Sequence, residues 1–460
     1  MSAQPDVNTV IDAMADRQVP GIVNGVGGLF ILLGLVGFGY GFAVAGAAPT
    51  WGAVLVGLFW SIGLCQGAFM LSIILTGTWG RWGRPIKRIA ESFAFVLPVL
   101  YVLLFVFLVA GGLGIYKWHP TPLAPIEHIS LEPHNVEATW RSKPIWLTPG
   151  FFIARQMGGL GILILLDFLY LRASLGPDML QAKQRLGAKA PAWWGSFIGS
   201  HTNVEKASEA GQKVQSGTFF VIGILYALVF SFLAFDLIMS LEPWWYTNMF
   251  GGWVFVSCVW TGLCATGLAS MLARDWLHLG DFIKPKVTHD LGKLMLAACM
   301  FWAYTLFAQL LPIWYANMPE ETQFFLVRLG SEQDALTAWR WMAQSVAVLC
   351  FIAPFTILLS RGIKKMRWPF AAICSLILFG MFMERSLLVM PQVYPDVTDT
   401  FPVVNFIVLH VFVWLGFIGL ITLVVSNVLA RIPPLVTSDP HLGEHPWDQH
   451  VHSLDAHHAH

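Results

Sequence analysis

Apolar runs of about twenty or more residues, each closed by a short polar passage, recur along almost the whole chain. They lie near 20–46, 51–76, 91–116, 147–171, 214–241, 247–273, 291–316, 337–360, 366–390 and 402–430. A hydrocarbon core of roughly 30 Å is crossed by ~20 helical residues. Within it every backbone N–H and C=O must find a partner inside the segment, so each run is predicted to be a transmembrane α-helix. The pattern predicts an all-α, polytopic membrane protein with about ten spans, organised as a cytoplasmic N-terminal segment (1–19), a transmembrane domain (20–430) and a cytoplasmic tail (431–460). Pro98 and Pro354 interrupt two of the runs, and each removes one helical hydrogen bond.

The polar passages differ in charge. Those after the second, fourth, sixth and eighth runs hold Arg81, Arg84, Lys87 and Arg88; Lys183, Arg185, Lys189 and Lys206; Arg274, Lys284 and Lys286; and Arg361, Lys364, Lys365 and Arg367. The alternate passages hold few cations and some acids, among them Glu320, Glu321, Asp396 and Asp399. Cytoplasmic loops are the basic ones, so both termini are expected in the cytoplasm, as an even number of spans requires.

Composition agrees with this picture. Of 460 residues 56% are hydrophobic and 12% charged, about half the charge of a soluble domain. The formal net charge is zero, so nothing points to nucleic acid. Cys65, Cys258, Cys264, Cys299, Cys350 and Cys374 all fall in apolar runs and form no CxxC, which leaves no haem-attachment, cluster or disulfide pattern. The first twenty residues lack the basic start and short apolar stretch of a secretory signal, so insertion without cleavage is expected. Trp79, Trp82, Trp244, Trp245, Trp314, Trp339 and Trp341 sit at run ends, as an aromatic belt would. The Pro- and His-rich tail reads as disordered.

Ionisable groups inside spans are costly and therefore candidate functional groups. Asp236, Glu242, Glu384, Arg385, His410 and Arg155 fall toward the outer side of this topology. Glu91, Asp167, His289, Asp290 and Lys293 fall toward the inner side. With a mostly apolar middle, the distribution predicts two polar half-channels, one from each face. An unpaired carboxylate in hydrocarbon costs several kcal/mol, so Asp236 is expected to be neutral or paired, and a proton relay is one use for it. Asp290 with Lys293 and His289 with Lys293 share a helix face, and Thr288 or Asp290 suits the N-cap of the seventh span. The neighbours Glu384 and Arg385 should point apart and find partners on other spans, Asp236 being one for Arg385. His410 is the only histidine well within a span, so a pair of haem-ligating histidines is not expected.

Two stretches, SLEPWWYTNMFGGW (240–253) and HDLGKLMLAACMFWAYTLFAQLLPIWYANMPEET (289–322), resemble the ActF-type integral membrane subunit of bacterial alternative complex III, a quinol:electron-acceptor oxidoreductase. The order of spans resembles it along nearly the whole chain up to about 432. The resemblance implies a relative of the NrfD-like membrane proteins, built from four-helix bundles with flanking spans, in the bacterial inner membrane. It further implies partners: an ActC-type paralogue, an iron–sulfur subunit, cytochrome c subunits carrying haem, and a terminal oxidase. Such a subunit holds no redox cofactor of its own and contributes a proton path near the quinol. Asp236, Glu242, Glu384, Arg385, His410, His289, Asp290, Lys293, Asp167 and Glu91 are the candidates for it. Two other readings remain at this point. The chain could itself bind quinol, through Glu242, His410 or Glu384, or it could be a stand-alone secondary transporter.

Overall fold

A computed structural model describes residues 7–123, 145–242, 245–330, 338–394 and 403–439. Among the described residues ten helices are long and apolar enough to cross a membrane: α1 (Gly21–Ala45), α2 (Ala47–Gly77), α3 (Arg81–Val109), α4 (Pro149–Lys189), α5 (Val204–Leu241), α6 (Met249–Ala273), α7 (Pro285–Ala316), α8 (Trp339–Leu359), α9 (Arg367–Val393) and α10 (Asn405–Arg431). The chain is an all-α, multi-pass membrane protein, with no strand among the described residues.

Several helices run beyond their apolar stretches, because hydropathy marks only the part that needs lipid. α4 continues through the polar segment to the left-handed Gly187, and α5 begins at Asn203, whose side chain caps the Lys206 N–H at 3.1 Å. α7 begins at Pro285 with Lys284 as its N-cap and no side-chain capping bond. Neither Thr288 nor Asp290 is therefore the cap; proline preset at the first turn starts the helix earlier. α3 starts ten residues before its apolar run and breaks into a 3-10 turn at Phe93–Val96, just before Pro98. Before Pro354, α8 takes a π turn at Val348–Ile352.

The spans pack as two closed four-helix bundles and one flanking pair. α2, α3, α4 and α5 touch in a ring, as do α6, α7, α8 and α9, while α1 packs on α10 and α10 on α2. The bundles join where α2 crosses α6. A Cβ on Gly67 would lie 1.9 Å from the Cys258 carbonyl oxygen, and one on Gly262 would lie 1.9 Å from the Ala68 nitrogen. Only hydrogen at both positions lets the backbones meet this closely. The outer helices turn Ile22, Leu29, Leu35, Leu165, Phe220, Leu228 and Phe307 outward, as lipid-facing surfaces do.

One end of the bundle gathers the basic connections and the first and last described residues. The short helix Val7–Asp12 buries Val10 and Ile11 there, and Asp12 pairs with Arg185 at 2.5 Å. The start of the tail is ordered rather than loose: Ile432 and Leu435 are fully buried, and Asp439 pairs with Arg84 at 2.8 Å. Residues 440–460 and 124–144 lie outside the described set. Among the belt tryptophans, Trp79, Trp314 and Trp341 are exposed, whereas Trp245 is buried and stacked on Phe324 at 3.7 Å.

Candidate functional site

The inward stripe of α4 decides where chemistry can occur. Its buried positions include Gln156, Leu160, Leu163, Asp167, Tyr170, Ser174 and Asp178, the three-and-four spacing of one helix face. In the half nearer the basic end this stripe is polar. Arg88 of α3 donates from Nε to Asp178 Oδ2 at 2.9 Å and from Nη1 to Ser174 Oγ at 2.7 Å, and it also pairs with Glu91. Glu91 Oε1 accepts from Ser174 at 2.7 Å and from Ser72 at 2.8 Å. Ser72 meets the Tyr170 hydroxyl at 3.2 Å, and Thr76 bonds the same hydroxyl. Lys87 lies 3.9 Å from Glu91. Two cations thus face two carboxylates, a balance that lets ionised groups persist where burial is complete.

One turn deeper the balance fails. Asp167 is fully buried, and its one hydrogen bond comes from Gln66 Nε2 of α2 at 2.8 Å. Asp167 Oδ1 and Gln66 Oε1 have no hydrogen-bond partner among the described residues. Asp167 is the one buried carboxylate among the described residues held only by a neutral amide. An ionised form there has no countercharge, and a proton shared with either unpaired oxygen supplies the missing donor.

The network reaches water at the basic end. A cavity of about 290 Å³ is walled by Arg81, Arg84, Lys87, Arg88, Ser174 and Asp439, so Lys87, Arg88 and Ser174 of the network form part of its surface. The tail crosses its rim: the Ser438 N–H donates to Asp178 Oδ1 at 2.8 Å.

The other end of the same bundle holds a second polar group. Arg155 donates to Asp236 Oδ2 at 2.7 Å and Trp146 to Oδ1 at 3.1 Å, with Gln156 also bonded to the carboxylate. Arg155 stacks 3.8 Å from the Trp146 ring. Asp236 is therefore paired with Arg155, not with Arg385. Nearby, Gln392 bonds Glu242 and accepts from Lys117 at 3.3 Å. Burial pushes the Lys117 ammonium below its ordinary value, and the Glu242 charge opposes the shift. Arg328 donates to the carbonyls of Phe324, Leu387 and Leu388; burial pushes it down to about 9, again against Glu242. Between the two groups Leu160 and Leu163 face inward. Eleven positions of α4 separate Gln156 from Asp167, ~16 Å along the axis.

The second bundle is different. Glu384 and Arg385 pair with each other, correcting the expectation of separate partners. Adjacent side chains leave a helix ~100° apart, but the long guanidinium stem curls back. Trp302 Nε1 adds a bond to Glu384 at 3.3 Å, and Arg385 reaches Ser257, Cys258 Sγ at 3.7 Å and the Phe59 face at 5.6 Å. His410 is buried, its two ring nitrogens without a hydrogen-bond partner among the described residues, 4.1 Å from the Phe406 ring. His289, Asp290 and Lys293 lie apart from the α4 network, at the basic end of α7, where Asp290 pairs with Lys293 at 2.5 Å.

The structure therefore places Glu91 in a network that ends at Tyr170, one helical turn from Asp167 on the same face of α4, and leaves Asp236, Glu242, Glu384 and His410 outside it. Arg88, Asp178, Ser174, Tyr170 and Gln66 were not singled out from sequence. The spacing 167, 170, 174, 178 was the available signal, hidden because α4 was ended near 171. No protein-family model matches the chain, and no curated protein is similar to it.

Proposed function

We propose that the chain is a cofactor-free membrane subunit of a respiratory quinol:electron-acceptor oxidoreductase of the alternative complex III type, and that its first bundle conducts protons. The observation that carries the proton path is the hydrogen-bonded run from the basic-end cavity through Arg88, Glu91, Ser174, Ser72 and Tyr170 toward Asp167. The subunit assignment rests on the resemblance of 240–253 and 289–322 to ActF-type subunits, and the two-bundle architecture agrees with it. In this reading the basic end faces the cytoplasm of a bacterium. The ActC-type paralogue, iron–sulfur subunit, cytochrome c subunits and terminal oxidase are partners that carry the redox centres.

Oxidation of a quinol releases electrons and protons together. A nearby chain of carboxyls and hydroxyls gives those protons, or protons drawn from the cytoplasm, a route that lipid denies them. Asp167 replaces Asp236 as the leading relay group, since Arg155 already neutralises Asp236. Gentle detergent extraction, haem staining and subunit identification test the assignment. Co-purified c-type haem with further subunits is expected; a colourless chain emerging alone contradicts it.

One observation favours the alternative in which the chain itself binds quinol. An apolar cavity of about 440 Å³ lies among α2, α6, α9 and α10, lined by Trp60 and Trp414. Among the described residues both indole N–H groups lack an acceptor, and a ring carbonyl would supply one. Photolabelling with a quinone analogue, followed by peptide mapping, separates the readings: label at Trp60 or Trp414 supports a bound quinone, and label confined to partner subunits removes it.

A further inference from the structure

At the basic end, where α7 enters and α8 leaves the apolar layer, an open cavity of about 540 Å³ is lined by Lys284, Lys286, Lys293, Arg361 and Lys365, together with His289 and Asp290. Asp290 is the single carboxylate on this wall, and it pairs with Lys293 at 2.5 Å. Lys364 adds a further cation. Its stem lies against Gly292, where a Cβ would come within 2.7 Å of Lys364 Cδ. Burial, and then the charges of Lys293 and Arg361, push the Lys364 ammonium below its ordinary value. Among the described residues no carboxylate pairs with Lys284, Arg361, Lys364 or Lys365, and His289 Nδ1 is buried without a partner. Like charges held this close repel unless an anion lies between them.

The surface below the cations is apolar. Beyond Lys293, α7 exposes Met300, Phe301, Tyr304 and Phe307, while α8 exposes Val348, Ile352 and Leu359 below Arg361. The cations thus stand at the helix ends over two greasy helix faces, the arrangement in which basic pockets between spans hold anionic lipid.

We propose that this groove binds the phosphate headgroup of an anionic phospholipid, whose acyl chains lie along the exposed faces of α7 and α8. Arg361 supplies the planar fork suited to phosphate oxygens, and the lysines act as point charges around it. His289, Asp290 and Lys293 belong to this site rather than to the proton path. A soluble phosphate offers the cations the same chemistry without acyl chains; the apolar faces favour the lipid, and the test separates the two.

The purified, delipidated protein, with whatever subunits accompany it, is titrated with dioleoylphosphatidylglycerol, dioleoylphosphatidylcholine or inorganic phosphate. Native mass spectrometry reads bound lipid, and thermal unfolding reads protection. Phosphatidylglycerol should bind and protect at concentrations where the other two do not. The variant Lys284→Gln/Arg361→Gln/Lys365→Gln, altered only at exposed positions, should lose that preference by ~10-fold or more. The charge-conserving Lys284→Arg/Lys365→Arg should keep it. Equal binding of both lipids, protection by inorganic phosphate matching that by phosphatidylglycerol, or an unchanged preference in the triple variant would each overturn the proposal. The lipid comparison on the unaltered protein decides the matter even where a variant folds poorly.

Discussion

The two four-helix bundles solve the same problem, ionised groups in lipid, in opposite ways. In the second, Glu384 and Arg385 form a single closed pair, buried among Trp302, Cys258 and Phe59. In the first, charges are spread over α3 and α4, linked by hydroxyls and exposed to a cavity at one end, and one turn beyond Tyr170 lies Asp167 with no countercharge among the described residues. A closed pair fixes geometry, while an open chain with an uncompensated terminus has a place for a mobile proton. In the function proposed above, the difference separates a clamp from a conduit.

The largest expected effect lies in the clamp. Arg385→Ala strands Glu384 and should destabilise the detergent-solubilised protein by ~3–5 kcal/mol, whereas Glu384→Leu/Arg385→Met should recover most of that loss. Thermal unfolding checks both, and a double variant no better than the single would mean the pair is not what holds this region.

Next comes the seam between the bundles. Gly67→Ala and Gly262→Ala each force apart backbones in contact and should cost ~1–3 kcal/mol or more. Gly28→Ala, with nothing within 4 Å of its Cβ, should be neutral or stabilising by up to ~1 kcal/mol. Equal melting temperatures for all three would remove the close crossing from the account.

At the far end of the first bundle, Asp236→Asn leaves Arg155 its stacking on Trp146 but no countercharge. A loss of ~1–2 kcal/mol is expected, with proton-coupled turnover less affected than by a change at Asp167. The smallest effect belongs to the tail. Asp439→Ala removes a partly exposed pair with Arg84 and should cost ~0.5–1 kcal/mol, less in high salt. A larger, salt-independent loss would show that the tail does more than lie across the rim.

The spans were legible because each depends only on a local run of apolar residues. The basic side was legible too, since cations counted along the chain gather at one end of the structure. What hydropathy hid was the continuation of helices into water. Ending the span near 171 left Ser174 and Asp178 in a polar, helix-compatible stretch outside the membrane, and the ladder they form with Arg88 and Glu91 was not seen as part of the span's face. Pairing was hidden for another reason. Whether Asp236 meets Arg155 or Arg385 depends on which helices touch, and span order alone does not say. Asp167 was visible as a buried acid, but its lack of a cation is a property of its neighbours.

The contrast rests most heavily on Asp167. In coupled vesicles, quinol-driven proton movement by Asp167→Asn, which keeps the Gln66 contact and the volume, should fall on the order of tenfold, with subunit content and melting temperature unchanged. Proton movement equal to that of the unaltered protein would contradict the conduit.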